Sequence, residues 1–275
     1  MTASAETVKE LRERTGAGIM DCKSALQASD GDMEKAIDFL RKKGVASAAK
    51  RAGREAKEGL VGVSVQSGAA VMVEANCETD FVARTEDFRA LLNLALSEVA
   101  SQGEGALSSA KVTERVAELS GKIGEKIVVR RATKLQSSGV FFSYIHANQK
   151  LGVVIELASS KKGPALETLG KDLAMQVAAS NPLCVERSQV PAQSVEREKA
   201  IYREEVKGKP ENIVEKIITG KLEKFYQTAC LLEQPFIKDD KKSVKALVEE
   251  TGKQLGDTVQ VKQFVRFQLG ESASA

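Results

Sequence analysis

The sequence predicts an α+β protein: a small three-helix N-terminal unit, then a core of two duplicated antiparallel-sheet-plus-helix halves, with a helical hairpin inserted in the second. Three observations carry this. Glycine- and Asp-punctuated stretches of helical periodicity fill the first 40 or so residues. A pattern of strand, tight turn, strand and amphipathic helix then occurs twice. Finally, the alternating run Val71-Met72-Val73-Glu74-Ala75 resembles Val153-Val154-Ile155-Glu156-Leu157 residue by residue.

Taken in order, Ser4 is placed to cap a first helix that carries Val8 and Leu11 on one face. Thr15-Gly16-Ala17-Gly18 breaks it. A second helix is expected from about Ile19 to Ser29, with Met20, Cys22, Ala25 and Leu26 as its apolar members. Asp30-Gly31-Asp32 turns the chain into a third, where Met33, Ala36, Ile37 and Leu40 recur at helical spacing. From Arg41 to Lys57 there are seven basic residues against one acid, Glu55, which reads as a solvated helical linker closing a unit over residues 1–57.

The first half of the core, residues 58–138, opens with a hairpin: Gly59 to Val65, a turn at Ser67-Gly68, and Ala70 to Asn76. A helix bearing Phe88, Leu91, Leu92, Ala95 and Val99 follows. The second half, residues 139–270, repeats the plan with Gly139 to Ile145, Asn148-Gln149, Leu151 to Ala158, and a helix bearing Leu166, Leu169, Leu173 and Val177. Each half closes on a strand, entered through Gly121-Lys122-Ile123-Gly124-Glu125 in one and Gly252-Lys253-Gln254-Leu255-Gly256-Asp257 in the other. Between about residues 190 and 235, Val195, Tyr202 and Val206 mark one helix, and Gly208-Lys209-Pro210 a turn. Val214, Ile217, Ile218, Leu222 and Phe225 mark a longer helix, and the pair should stand off the core as a hairpin. Residues 271–275 read as a flexible tail.

The duplication is imperfect directly after the second strand of each half. The first has Thr79-Asp80-Phe81-Val82; the second has Ser159-Ser160-Lys161-Lys162-Gly163. Thr85 can cap the next helix, with Glu86 and Asp87 in its first turn. An acid and a large aromatic thus sit side by side at the end of a strand. On pattern alone, Phe81 folds under the sheet while Asp80 faces water. The other reading is a tip made for another molecule, and its presence in one half only favours that.

The inventory disfavours catalysis. The one histidine, His146, rules out a multi-histidine metal site within one chain, and no Gly-Lys pair is followed by Ser or Thr, so there is no P-loop. Gly16-Ala17-Gly18 begins like a dinucleotide turn, but no strand precedes it and Asp21 stands where the third glycine belongs. Four separated cysteines, Cys22, Cys77, Cys184 and Cys230, without a CxxC pair fit reduced thiols and a cytoplasmic setting. A net charge of +3, from 41 basic and 38 acidic residues, gives no strong nucleic-acid signal. No apolar run approaches the length of a membrane span, and the N-terminus does not read as a signal peptide.

Two long stretches, Leu11-Arg12-Glu13-Arg14-Thr15-Gly16-Ala17-Gly18-Ile19-Met20-Asp21-Cys22-Lys23 and Asn76-Cys77-Glu78-Thr79-Asp80-Phe81-Val82-Ala83-Arg84, resemble the elongation factor Ts family. Val177-Ala178-Ala179-Ser180, Gln234-Pro235-Phe236 and Phe264-Val265-Arg266-Phe267 extend the resemblance over nearly the whole chain. It implies a ubiquitin-associated-like N-terminal domain and a guanine-nucleotide exchange factor of translation whose partner is elongation factor Tu, GDP-bound or nucleotide-free. It also implies that Thr79, Asp80, Phe81 and Val82 enter the partner's nucleotide domain near its magnesium site. There Phe81 would wedge into an apolar cleft and Asp80 would disturb the magnesium shell. His146 would touch the same domain, and Leu11, Ile19 and Met20 would dock on another of its helices. No catalytic residue, cofactor, metal or direct nucleotide binding is called for. A homodimer or a two-to-two complex through the second half of the core stays open. Two alternatives remain: an RNA-binding protein using residues 41–57, and an enzyme in which His146 acts with a carboxylate.

Overall fold

Helix α1 (Ala5–Thr15) begins where Ser4 accepts the Thr7 N–H and ends at Gly16, whose left-handed backbone lets its N–H close on Arg12 O. Helices α2 (Ile19–Ala28) and α3 (Met33–Arg51) complete the N-terminal unit around Leu11, Cys22, Ala25, Leu26 and Ala36. The computed structural model describes residues 4–271 other than Lys209, and not the side chains of Val45, Ala49 and Asn212. The expected tail at 271–275 therefore lies outside the described residues except for Glu271, as does the middle of the turn at Gly208-Lys209-Pro210.

Strands β1 (Glu58–Gln66) and β2 (Ala69–Cys77) form an antiparallel hairpin about Ser67-Gly68. After a one-turn helix α4 (Asp80–Ala83) come α5 (Glu86–Gln102), α6 (Ala110–Ile123) and strand β3 (Val128–Gln136), which adds to β2. The second sheet repeats this order. β4 (Val140–Ile145) pairs with β5 (Leu151–Ala158), α7 (Pro164–Ser180) follows, and β8 (Gln260–Gln268) adds to β5. Register shifts fall at Glu74/Ala75 in one sheet and at Glu156/Leu157 in the other, so the edge strands β3 and β8 bulge, at Arg130 and Lys262, against matching positions of the central strands.

The two sheets face each other, with helices outside. Because strand side chains alternate, Val71, Val73 and Ala75 pack with Phe88, Leu91 and Val99 under α5, while Ala70 and Met72 meet Val154, Phe141 and Phe267 between the sheets. Val153, Ile155 and Leu157 bury against Leu166, Leu169 and Leu173 of α7. Glu74 is fully buried, yet Arg131 reaches it at 2.7 Å and Arg130 at 3.4 Å, and the Gly270 N–H donates to it at 3.0 Å. Arg131 also lies 4.1 Å from the Phe267 ring centroid. A buried carboxylate of this kind is tolerable only when so fully partnered. It joins the end of β8 to the first sheet.

Beyond α7, α8 (Ala192–Glu205) and α9 (Glu211–Ala229) form the helical hairpin, closed on Val206, Val214 and Ile218. A small β6–β7 hairpin (Pro235–Phe236, Asp239–Ser243) and α10 (Val244–Leu255) lead into β8. Three differences from expectation stand out. The segments now seen as α6 and α10 read in the sequence only as lead-ins to strands. The basic stretch after Arg41 is not a free linker: α3 runs unbroken to Arg51 and packs along α6, where a Cβ on Gly121 would lie 3.1 Å from Gly44 Cα. And Cys184 and Cys230, far apart in sequence, are neighbours.

Candidate functional site

The end of β2 is turned outward by Thr79, whose hydroxyl oxygen accepts the Val82 N–H at 3.5 Å and caps α4. One helical turn places Val82 and Ala83 on the core and swings Phe81 away from it. Phe81 is 78% exposed. The expectation that Phe81 folds under the sheet is thus corrected: Val82 and Ala83 occupy that space. Asp80 is partly exposed and paired with Arg84 one turn on, at 2.7 Å.

The base of this projection is held rigidly. Glu125, just past the end of α6, accepts the N–H groups of Glu78 at 3.1 Å and Thr79 at 3.0 Å through Oε2, and the Thr79 hydroxyl at 2.7 Å through Oε1. In return the Glu78 carboxylate accepts the Lys126 N–H at 2.6 Å and Arg54 at 3.3 Å. The Lys126 N–H, with Arg54 behind it, holds the Glu78 carboxyl below its ordinary value. The Cys77 thiol donates to Thr79 O at 3.1 Å; burial pushes it up to about 12, so it is a packed donor and not a nucleophile.

The second sheet uses the same device without the tip. Asp257, one residue past the Gly256 that ends α10, accepts the Ser159 hydroxyl at 2.7 Å and the N–H groups of Ser160 at 2.7 Å and Lys161 at 3.2 Å. Sequence reasoning passed over Glu125 and Glu78. The signal was present in the paired runs Gly124-Glu125 and Gly256-Asp257, each an acid straight after a helix-ending glycine.

The remaining expected residues lie apart from the tip. His146 sits one residue beyond β4, its Nδ1 3.0 Å from the Tyr144 hydroxyl, beside a shallow recess with Lys57, Asn148 and Lys150. Ile19 and Met20 open α2 and are 55% and 70% exposed. Leu11 is corrected as a contact residue: it has no exposed surface and forms the centre of the N-terminal core. Between that unit and α6 lies a cleft of about 610 Å³ lined by basic side chains. Those cations face acids: Arg41 pairs with Glu114 at 2.9 Å, Lys43 with Asp21 at 2.7 Å, and Lys122 with Asp87 at 2.8 Å. Among the described residues, no cluster of His, Cys, Asp and Glu is arranged to hold a metal, and no helix is long and apolar enough to cross a membrane.

The family model described as "Elongation factor TS" matches residues 78–271, from the base of the tip to the end of the core. The protein named elongation factor Ts from Prosthecochloris aestuarii is 48% identical, over 97% of this chain and 98% of its own. Those of Clostridium botulinum (strain Eklund 17B) and Nitratidesulfovibrio vulgaris (strain DP4) are 46% and 45% identical, over 98% and 100% of this chain and 93% and 98% of theirs. The chain belongs to the elongation factor Ts family. It is accordingly a translation elongation factor, of the machinery of protein biosynthesis. Within the elongation factor Ts family model, Thr79, Glu125 and Asp257 all lie inside the matched span, as does the second sheet, while β1 and β2 of the first precede it.

Proposed function

We propose that this protein binds elongation factor Tu·GDP and promotes release of the nucleotide, acting as an exchange factor and not as an enzyme that transforms a substrate. The observation that carries the reading is Phe81: a large aromatic, 78% exposed, fixed on a one-turn helix whose base is gripped by Glu125. An exposed aromatic on a rigid mount gains about 1.5–3 kcal/mol when it enters an apolar cleft, and loses little entropy in doing so. In this reading Thr79 and Val82 hold the turn, Phe81 wedges into the partner's nucleotide domain, and Asp80 leaves Arg84 to disturb the shell of the magnesium ion beside GDP. His146 and the exposed pair Ile19 and Met20 supply further contacts, with Leu11 supporting the latter from below.

The core is read as a duplication in which only the first half gained the tip, and the N-terminal helices as a ubiquitin-associated-like docking unit. Ile201 and Ile213, both exposed on the helical hairpin, offer a surface for a two-to-two complex. The RNA-binding alternative has less left to it, because Arg41, Lys43 and Arg54 are engaged with acids and Arg51 with Ser120.

Exchange by this route obeys linkage: whatever factor GDP removes from the affinity for this protein, this protein removes from the affinity for GDP. Calorimetric titration of elongation factor Tu at graded GDP concentrations tests it. The proposal expects apparent affinity to fall steadily as GDP rises; an affinity indifferent to GDP contradicts it.

A further inference from the structure

The chain enters and leaves the helical hairpin through a short parallel ladder. Leu183 N–H and Cys184 N–H donate to Ala229 O at 2.8 and 3.2 Å, Leu231 N–H to Cys184 O at 2.9 Å, and Leu232 N–H to Val185 O at 3.1 Å. Cys184 and Cys230 are bridge partners in this ladder, and their Sγ atoms lie 3.9 Å apart with the Cys184 thiol directed at Cys230. Arg187 locks the same spot, joining Glu223 on α9 to Glu233 and lying 4.5 Å from the Tyr226 ring centroid. Cys230 is fully buried, Cys184 partly open.

We propose that Cys184 and Cys230 form a dithiol site at the neck of the helical hairpin, which a low-molecular-weight disulfide such as oxidised glutathione converts to an intrachain disulfide. Adjacent bridge partners have backbones already within the span a disulfide needs, so closure asks only for side-chain rotation. The Cys184 thiolate attacks one sulfur of the small disulfide, forms a mixed disulfide and releases one small thiolate. Cys230 then loses its proton, attacks Cys184 Sγ and releases the second. Two protein thiols are oxidised, the small disulfide is reduced to two thiols, and the two protons pass to those leaving thiolates. Burial raises both thiols above their ordinary value, which keeps the thiolate fraction small and the first step slow. The product ties the two ends of the hairpin together across a sequence separation of 46 residues.

The test uses the full-length protein in graded glutathione redox buffers without oxygen, followed by acid quench, alkylation and peptide mapping. The expected result is a single Cys184–Cys230 cross-link, with Cys22 and Cys77 still free. Cys230→Ser should instead hold glutathione on Cys184, and Cys184→Ser should leave Cys230 unmodified. On oxidation, amide exchange at Leu231 and Leu232 should slow by at least about tenfold, since a cross-linked neck opens less often. The proposal is overturned if the native chain stays reduced in the most oxidising buffer, stops at a stable glutathione adduct, links another pair, or is cross-linked with no change in exchange at the neck.

Discussion

Glu125 holds Thr79 by two bonds at once, accepting its N–H at 3.0 Å and its hydroxyl at 2.7 Å. Thr79 is in turn the residue that caps the turn bearing Asp80 and Phe81. The projecting helix is therefore set by a carboxylate 46 residues further along the chain. A rigid mount of this kind is what an exposed aromatic needs if it is to act as a wedge.

Glu125→Ala removes the acceptor for three donors near the tip. The expected cost is about 1–3 kcal/mol of stability, since the amide groups of Glu78 and Thr79 lose their charged partner. Faster amide exchange at those two residues, with acceleration of GDP release falling by more than the global destabilisation explains, would mark the loss of the mount.

Phe81→Ala should leave stability within about 0.5 kcal/mol of the native chain, because the ring touches little of its own protein. Thermal melting checks this. A large drop in melting temperature would mean that the ring is part of the core after all.

Leu11→Ala and Met20→Ala separate core from surface in the N-terminal unit. Truncating the fully buried Leu11 should cost about 2–5 kcal/mol of local stability. Truncating Met20 should cost almost none while weakening the complex with elongation factor Tu. Urea titration followed by helical circular dichroism, set beside partner affinity, distinguishes the two.

Asp257 carries an acid-linked prediction. The Ser159 hydroxyl, followed by backbone N–H groups that include those of Ser160 and Lys161, holds its carboxyl well below the ordinary value of 3.8. With the folded value beneath the unfolded one, its contribution is complete above that ordinary value and is lost as pH falls from there through the folded value. Asp257→Asn should thus be less stable at pH 7 and show a flatter loss of stability on acidification below pH about 4, measured by urea titration at each pH.

Much of this was legible in the sequence, for identifiable reasons. Two-residue periodicity in Val71 to Asn76 and its match in the second half gave both sheets, and Thr85 marked a helix start that the structure places there. What escaped was long-range. Nothing local to Glu125 says that it will cap a turn at Thr79, and nothing in the separated cysteines says that Cys184 and Cys230 will meet. The exposure of Phe81 also depends on one turn of helix, which moves a side chain by roughly 100° per residue. A run of four residues is too short for any pattern to fix that rotation.

The central claim is that the rigid Asp80-Phe81 tip drives nucleotide release, and stopped-flow release of a fluorescent GDP from elongation factor Tu tests it most directly. The native chain should accelerate release strongly. Phe81→Ala should lower that acceleration by about tenfold or more, the equivalent of about 1.4 kcal/mol of lost wedge contact, and Asp80→Ala should lower it while leaving the chain folded. Undiminished acceleration by both variants would contradict the account and move the activity to another surface of the molecule.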